Sequence, residues 1–284
     1  CVHCFEAEFA CGDIKVKNDC RVWGYPRASA PACREVSVSD TSLADFVPQS
    51  DTASDVYFTD TLGEEVLERL SEGRTVVLAY EYKAPRNRWQ LPGALERFKP
   101  CIWDRGSNLG GVIYHEGVRS ALAAGRYFDL EMQPLLEAGW KVNLDHFPFA
   151  VEEHIIGIDK PVRDRMKGLI HKIGDFIDDD TLRRFAHLFS VRVGKGLLIV
   201  SAFNLSDAAR HPVKASYLSF LLGNTARFDT DKSVSVNEFR AALETLAGYI
   251  QPEDTMNHFW ELDNKPVEDT LFWEEAGISL ADLN

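Results

Sequence analysis

Cys1 and Cys4, with His3 between them, have the spacing at which two thiolates can grip one tetrahedral zinc ion. A second close pair is missing, because Cys20 and Cys33 stand too far apart to supply one. The expectation for Cys1, Cys4, Cys11, Cys20 and Cys33 is therefore unpaired thiols on strands, and no metal. Cys101 lies in a mid-chain loop where an amidotransferase or peptidase could carry a nucleophile, served here by His115, His146 or His154. Such nucleophiles sit on strained elbows flanked by small residues, whereas Cys101 follows Pro100 and precedes Ile102-Trp103. A structural thiol is the expectation, and the nucleophile is the alternative.

Other motifs meet simpler readings. Gly194-Lys195-Gly196 has the composition of a phosphate loop, but Leu197, Leu198, Ile199 and Val200 continue as a strand where that loop needs a helix. Phe189, Val191 and Val193 alternate before it, which predicts a hairpin turn. The stretch from Asp229 begins like a calcium loop, yet Val234 and Arg240 occupy the places of its glycine and bidentate glutamate. Asn237-Glu238 has the look of a glycosidase acid/base pair but falls in a capped helix without a barrel to present it. The eight histidines show no metal spacing. Among the tryptophans, Trp89 and Trp103 are the candidates to stack on a sugar ring, and core packing is the competing reading.

The elements that must position these residues read as α/β. Residues 34–40 and 54–60 have strand patterns, and Thr61 with Glu64 forms a predicted capping box. Leu62, Val66, Leu67 and Leu70 then make one helical face, stopped at Gly73, and TVVLAYEY follows as a buried parallel strand. Further strands are predicted at GVIY, KVNLD and HIIGID, and over 129–138 a helix after an irregular start, with Pro134 against it. Helices follow around Ala215, Leu218, Leu221 and Leu222, and after a Ser235–Glu238 capping box. Residues 1–33 read as a β segment and linker, 34–225 as the α/β domain, and 226–284 as a mainly helical extension.

With 284 residues, 45% hydrophobic, the chain can bury one good-sized core. Its net charge of -13, with no basic cluster, argues against nucleic acid and anionic membrane as partners. The longest apolar run, Leu197 to Phe203, is too short to span a bilayer. The first residues lack the features of a signal peptide and read as a start in mid-protein. Clustered thiols without a disulfide framework fit a reducing, cytoplasmic setting.

One resemblance joins these pieces. NDCRVWGYP (18–26), GEEVLERLSEGRTVVLAY (63–80), KPCIWDRG (99–106), KVNLDHFP (141–148) with IIGID, and LFSVRVGKGLLIVSAFNLSD (188–207) with ASYLSFLL occur in a telling order. That order resembles the C-terminal part of bacterial glycoside hydrolase family two proteins, the β-galactosidase-like enzymes, over residues 13–225. Cys20 departs from the pattern, standing where an aromatic residue is expected. The resemblance implies an immunoglobulin-like segment followed by a flavodoxin-like, three-layer domain similar to class I glutamine amidotransferases that has lost their triad. It further implies a non-catalytic, cofactor-free role in packing, oligomer contacts or support of a sugar site. The catalytic glutamates would lie in a barrel upstream, and the partners would be upstream domains, carbohydrate or a second copy.

Overall fold

The computed structural model describes residues 2–25, 36–39, 43, 46–49, 54–81, 87–96, 108–136, 139–144, 147–159 and 183–246. The chain opens with an antiparallel hairpin, β1 (Val2–Cys11) and β2 (Ile14–Trp23), turning at Gly12, whose φ of +58° suits glycine. Pairing of Phe9 with Val16 and Cys11 with Ile14 fixes the register. Because side chains alternate, Phe5, Phe9, Ile14, Val16 and Val22 share one face and Glu6, Glu8, Lys15, Lys17, Asp19 and Arg21 the other. Glu8 pairs with Lys15 and Lys17 across the polar face.

The rest of the described chain is built on one ten-stranded sheet. Its first half is β3 (Ser37–Val38), β4 (Val56–Thr59), β5 (Thr75–Ala79) and β11 (Gly196–Ser201), all parallel. Its second half is antiparallel: β6 (Gly93–Glu96), β7 (Asn108–Ile113), β8 (Gly139–Asn143) and β9 (Glu152–Asp159). The long strand β10 (Arg183–Val193) joins the halves. On one side it pairs with β11 through Leu188–Val193 and with β8 through Phe185 and Ala186; on the other it pairs with β9 and with β12 (Ser233–Val234). The predicted hairpin at 194–195 is present: Val193 faces Gly196, and Gly194 takes φ +61°.

Helices cover both faces. Helix α1 (Glu64–Ser71) and helix α5 (Val236–Leu246) pack Val66, Leu67, Leu70, Phe239 and Leu243 against Val76, Leu78, Leu198 and Val200. On the opposite face, α2 (Glu116–Leu122), α3 (Gln133–Leu136) and α4 (Pro212–Gly223) bury Val118, Leu122, Leu135, Tyr217, Leu218 and Leu221 against Val77 and Ile199. The α/β class is thus observed. No helix among the described residues is long and apolar enough to cross a membrane.

One local expectation is corrected. Helix α1 starts at Glu64 with Gly63 as its cap and no side-chain cap, because the Thr61 hydroxyl donates to Asp60 and Glu64 pairs with Arg88 and Arg240. The irregular start expected at 129 is a short 3₁₀ turn (Leu130–Met132) running into α3, with Pro134 confined to the first helical turn, where its missing N–H is harmless. The Ser235–Glu238 box is formed, with Glu238 N–H donating to Ser235 Oγ at 3.2 Å and Ser235 N–H to the Glu238 carboxylate at 3.1 Å. Residues on both sides of position 225 share the sheet: Arg240 reaches Glu64 at 2.5 Å, and Arg192 N–H bonds the Lys232 carbonyl.

Candidate functional site

The parallel half of the sheet stops at Thr59, Ala79 and Ser201, while β8 begins at the level where β11 ends. Trp140 N–H bonds the Ala202 carbonyl at 2.7 Å, so the two halves are stitched at this level. Beyond the carboxyl ends of parallel strands the chain turns away in different directions and leaves a crevice, the usual ligand position of open α/β sheets. Here the crevice encloses about 200 Å³, with Asp60 after β4, Tyr80 and Glu81 after β5, and Asn204 and Ser206 after β11. Trp140, Phe203, Leu43 and Ala79 give it an apolar floor.

The crevice wall is held from behind. Asn204 Oδ1 accepts from Ser206 N–H at 3.0 Å and from its hydroxyl at 2.5 Å, which closes the loop after β11 into a tight turn. Buried Lys214, at the start of α4, donates to the Ser206 carbonyl at 2.9 Å. The Ser201 and Tyr217 hydroxyls meet at 3.0 Å, and burial pushes the Tyr217 phenol up. His187 stacks on Phe203 with ring centroids 5.2 Å apart and donates from Nδ1 to the Trp140 carbonyl at 3.2 Å. Its Nε2 is left without a partner, and burial pulls its pKa down to about 3, with nearby Lys141 adding to the effect. His187 is therefore a neutral wedge behind the crevice floor.

A second cluster lies against α2. The Ser190 hydroxyl donates to the Phe228 carbonyl at 2.7 Å, so it accepts from His154 Nε2 at 2.8 Å. His115 caps α2 by accepting from Val118 N–H at 3.3 Å, leaving Nε2 to donate to the Arg227 carbonyl at 3.2 Å. The two imidazoles meet edge to face at 5.3 Å. Burial first, and His115 second, lower the His154 pKa to about 3; burial also lowers that of His115. Both rings are committed to backbone and hydroxyl partners, and Ser190 is fully buried. The arrangement holds loops together.

Trp89 is only 5% exposed, and the guanidinium groups of Arg88 and Arg240 lie 4.9 and 5.6 Å from its ring centroid. Its faces are occupied by cations and core, which leaves no surface for a sugar ring. Trp103, Cys101 and His146 lie outside the described residues, as do Cys1 and Cys33. Cys4, Cys11 and Cys20 are free and exposed on the hairpin. Among the described residues no group of three or more His, Cys, Asp or Glu is placed to hold a metal ion. The crevice residues Asp60, Glu81, Asn204 and Ser206 escaped the sequence reading; the available signal was a polar residue just past each β-branched run.

The class these features define is a mixed α/β protein with helices on both faces of its sheet and a crevice at the strand ends. No protein-family model and no curated protein matches the chain.

Proposed function

We propose that the chain is a non-catalytic accessory region of a carbohydrate-active glycoside hydrolase of the β-galactosidase-like kind. In this reading the sheet unit is a flavodoxin-like, amidotransferase-related domain, and the hairpin β1–β2 is the end of an immunoglobulin-like domain that precedes it. The observation that carries the reading is the hairpin's apolar face. Phe5, Phe9, Ile14 and Val16 are 57–78% exposed, while the opposite face is laced with ion pairs. A face of that pattern belongs against a second sheet, and a lone two-stranded hairpin is marginal in water. Tyr25 then ties the hairpin to the α/β unit, its hydroxyl donating to the Leu122 carbonyl at 2.6 Å. The family that the chain resembles carries the same two kinds of domain in the same order.

The test is the mass of the native polypeptide, taken together with the turnover of aryl glycosides by the chain alone. A species much heavier than 32.0 kDa, with no turnover by this chain, is the expected result. Glycoside turnover by the isolated chain would overturn the proposal.

A further inference from the structure

We infer that the crevice at the ends of β4, β5 and β11 binds a single neutral hexose unit, at a site whose described lining does not include Trp89. The choice of hexose rests on the accessory-region reading; the existence of a polar ligand site rests on the crevice itself. Its volume, about 200 Å³, suits one small ring rather than a chain of them.

The lining selects the chemistry. Asp60 and Glu81 place two carboxylates on the rim with no Lys, Arg or His in the described lining, so phosphates and carboxylates are repelled. Among the described residues no three His, Cys, Asp or Glu side chains converge, so the crevice offers a divalent cation two carboxylates at most. A sugar supplies hydroxyl donors for carboxylate acceptors, giving charge-assisted hydrogen bonds. It also presents a C–H face to an apolar floor such as Phe203 and Trp140. The Ser206 hydroxyl, its proton committed to Asn204 Oδ1, adds an acceptor, and the Asn204 amide adds N–H donors. Their shared turn fixes them before a ligand arrives, which lowers the ordering cost of binding.

The experiment titrates the full chain with galactose, glucose and mannose by ligand-observed saturation-transfer NMR, with choline as a cationic control. The variants are Glu81→Gln and Asp60→Asn. Glu81 is exposed and its carboxylate has no partner among the described residues, so an unchanged unfolding midpoint is expected for that variant. Saturable binding of at least one hexose, weakened tenfold or more in both variants, is the expected result. Equal binding by the wild type and both variants would overturn the site. Choline binding that is stronger than every hexose and is lost in Glu81→Gln would overturn the sugar. The absence of any saturable hexose response would overturn the inference, while the heavier native polypeptide would still support the accessory reading.

Discussion

The hairpin and the ten-stranded sheet use the same alternation of apolar and polar residues, but only the sheet covers both of its faces. In β5, Val76 and Leu78 turn toward α1 and α5 while Val77 and Ala79 turn toward α4, and the first three are fully buried. In β1, Phe5 and Phe9 point to solvent at 61% and 78% exposure. Burying one such ring is worth about 1.5–3 kcal/mol, so the hairpin leaves several kcal/mol unrealised on a face built like the inner face of a sandwich. Substitutions should therefore be costly in the sheet and nearly silent in the hairpin, and the contrast can be broken from either side.

The largest expected effect is at Gly111 in β7, where an added Cβ would stand 2.3 Å from the Phe128 ring and 2.5 Å from the Ile156 carbonyl. The ring can turn, but the backbone oxygen cannot. Gly111→Ala should cost about 3 kcal/mol and lower the urea midpoint by about 1 M or more. An unchanged midpoint would mean that β7 does not pair with β9 through Gly111.

Acid should act on the same core. His154 and His187 both have pKa values pulled down to about 3 by burial, so the folded state binds fewer protons than the unfolded one below the ordinary imidazole value. Their contribution is complete above about pH 6.5 and is lost as pH falls toward 3, each ring giving up about 1.4 kcal/mol for every pH unit of that descent. His187→Phe removes one of these rings, while His154 and the likewise lowered His115 remain, so the fall in urea midpoint between pH 6.5 and 4 should become shallower without vanishing. A slope identical to that of the wild type would show that His187 is not buried as a neutral ring.

What the sequence made legible was whatever one segment decides alone. Ser235 and Glu238 form their box because both partners lie in one turn with nothing competing for them. Thr61 and Glu64 have equivalent spacing, but Arg240, more than a hundred residues away, captures Glu64, and Asp60 captures the Thr61 hydroxyl. Trp89 was ambiguous for the same reason, since the second cation over its ring also comes from Arg240. The turn at Gly194 was readable from its flanking alternation, whereas the double role of β10, with two neighbours on each side, depends on strands spread over more than ninety residues. The crevice combines residues from four strand ends and was invisible until those ends were brought together.

Between the two regions sits Glu131, 4% exposed, with one carboxylate oxygen lacking a partner. Burial raises its pKa, and the adjacent Tyr25 phenol is pushed up to about 12, mainly by its own burial and then by Glu131. A carboxyl raised in the folded state stabilises below its ordinary value and loses that contribution as pH climbs through the raised one. Glu131→Met should therefore gain on the order of 1 kcal/mol at pH 7 and nothing at pH 4. A gain that persists at pH 4 would point to packing instead of charge.

The smallest effect is the most telling one. Phe5→Ser combined with Phe9→Ser removes two large rings, a change that in the sheet would cost several kcal/mol. In the isolated chain it should shift the unfolding free energy by no more than about 0.5 kcal/mol, because neither ring is covered and surface substitutions fall in that range. In a longer polypeptide that supplies a facing sheet, the same pair should cost about 3 kcal/mol or more. Urea unfolding of both forms, with and without the double substitution, separates the cases. A loss of about 2 kcal/mol in the isolated chain would mean that the hairpin is covered from within, and its apolar face would no longer argue for an upstream domain.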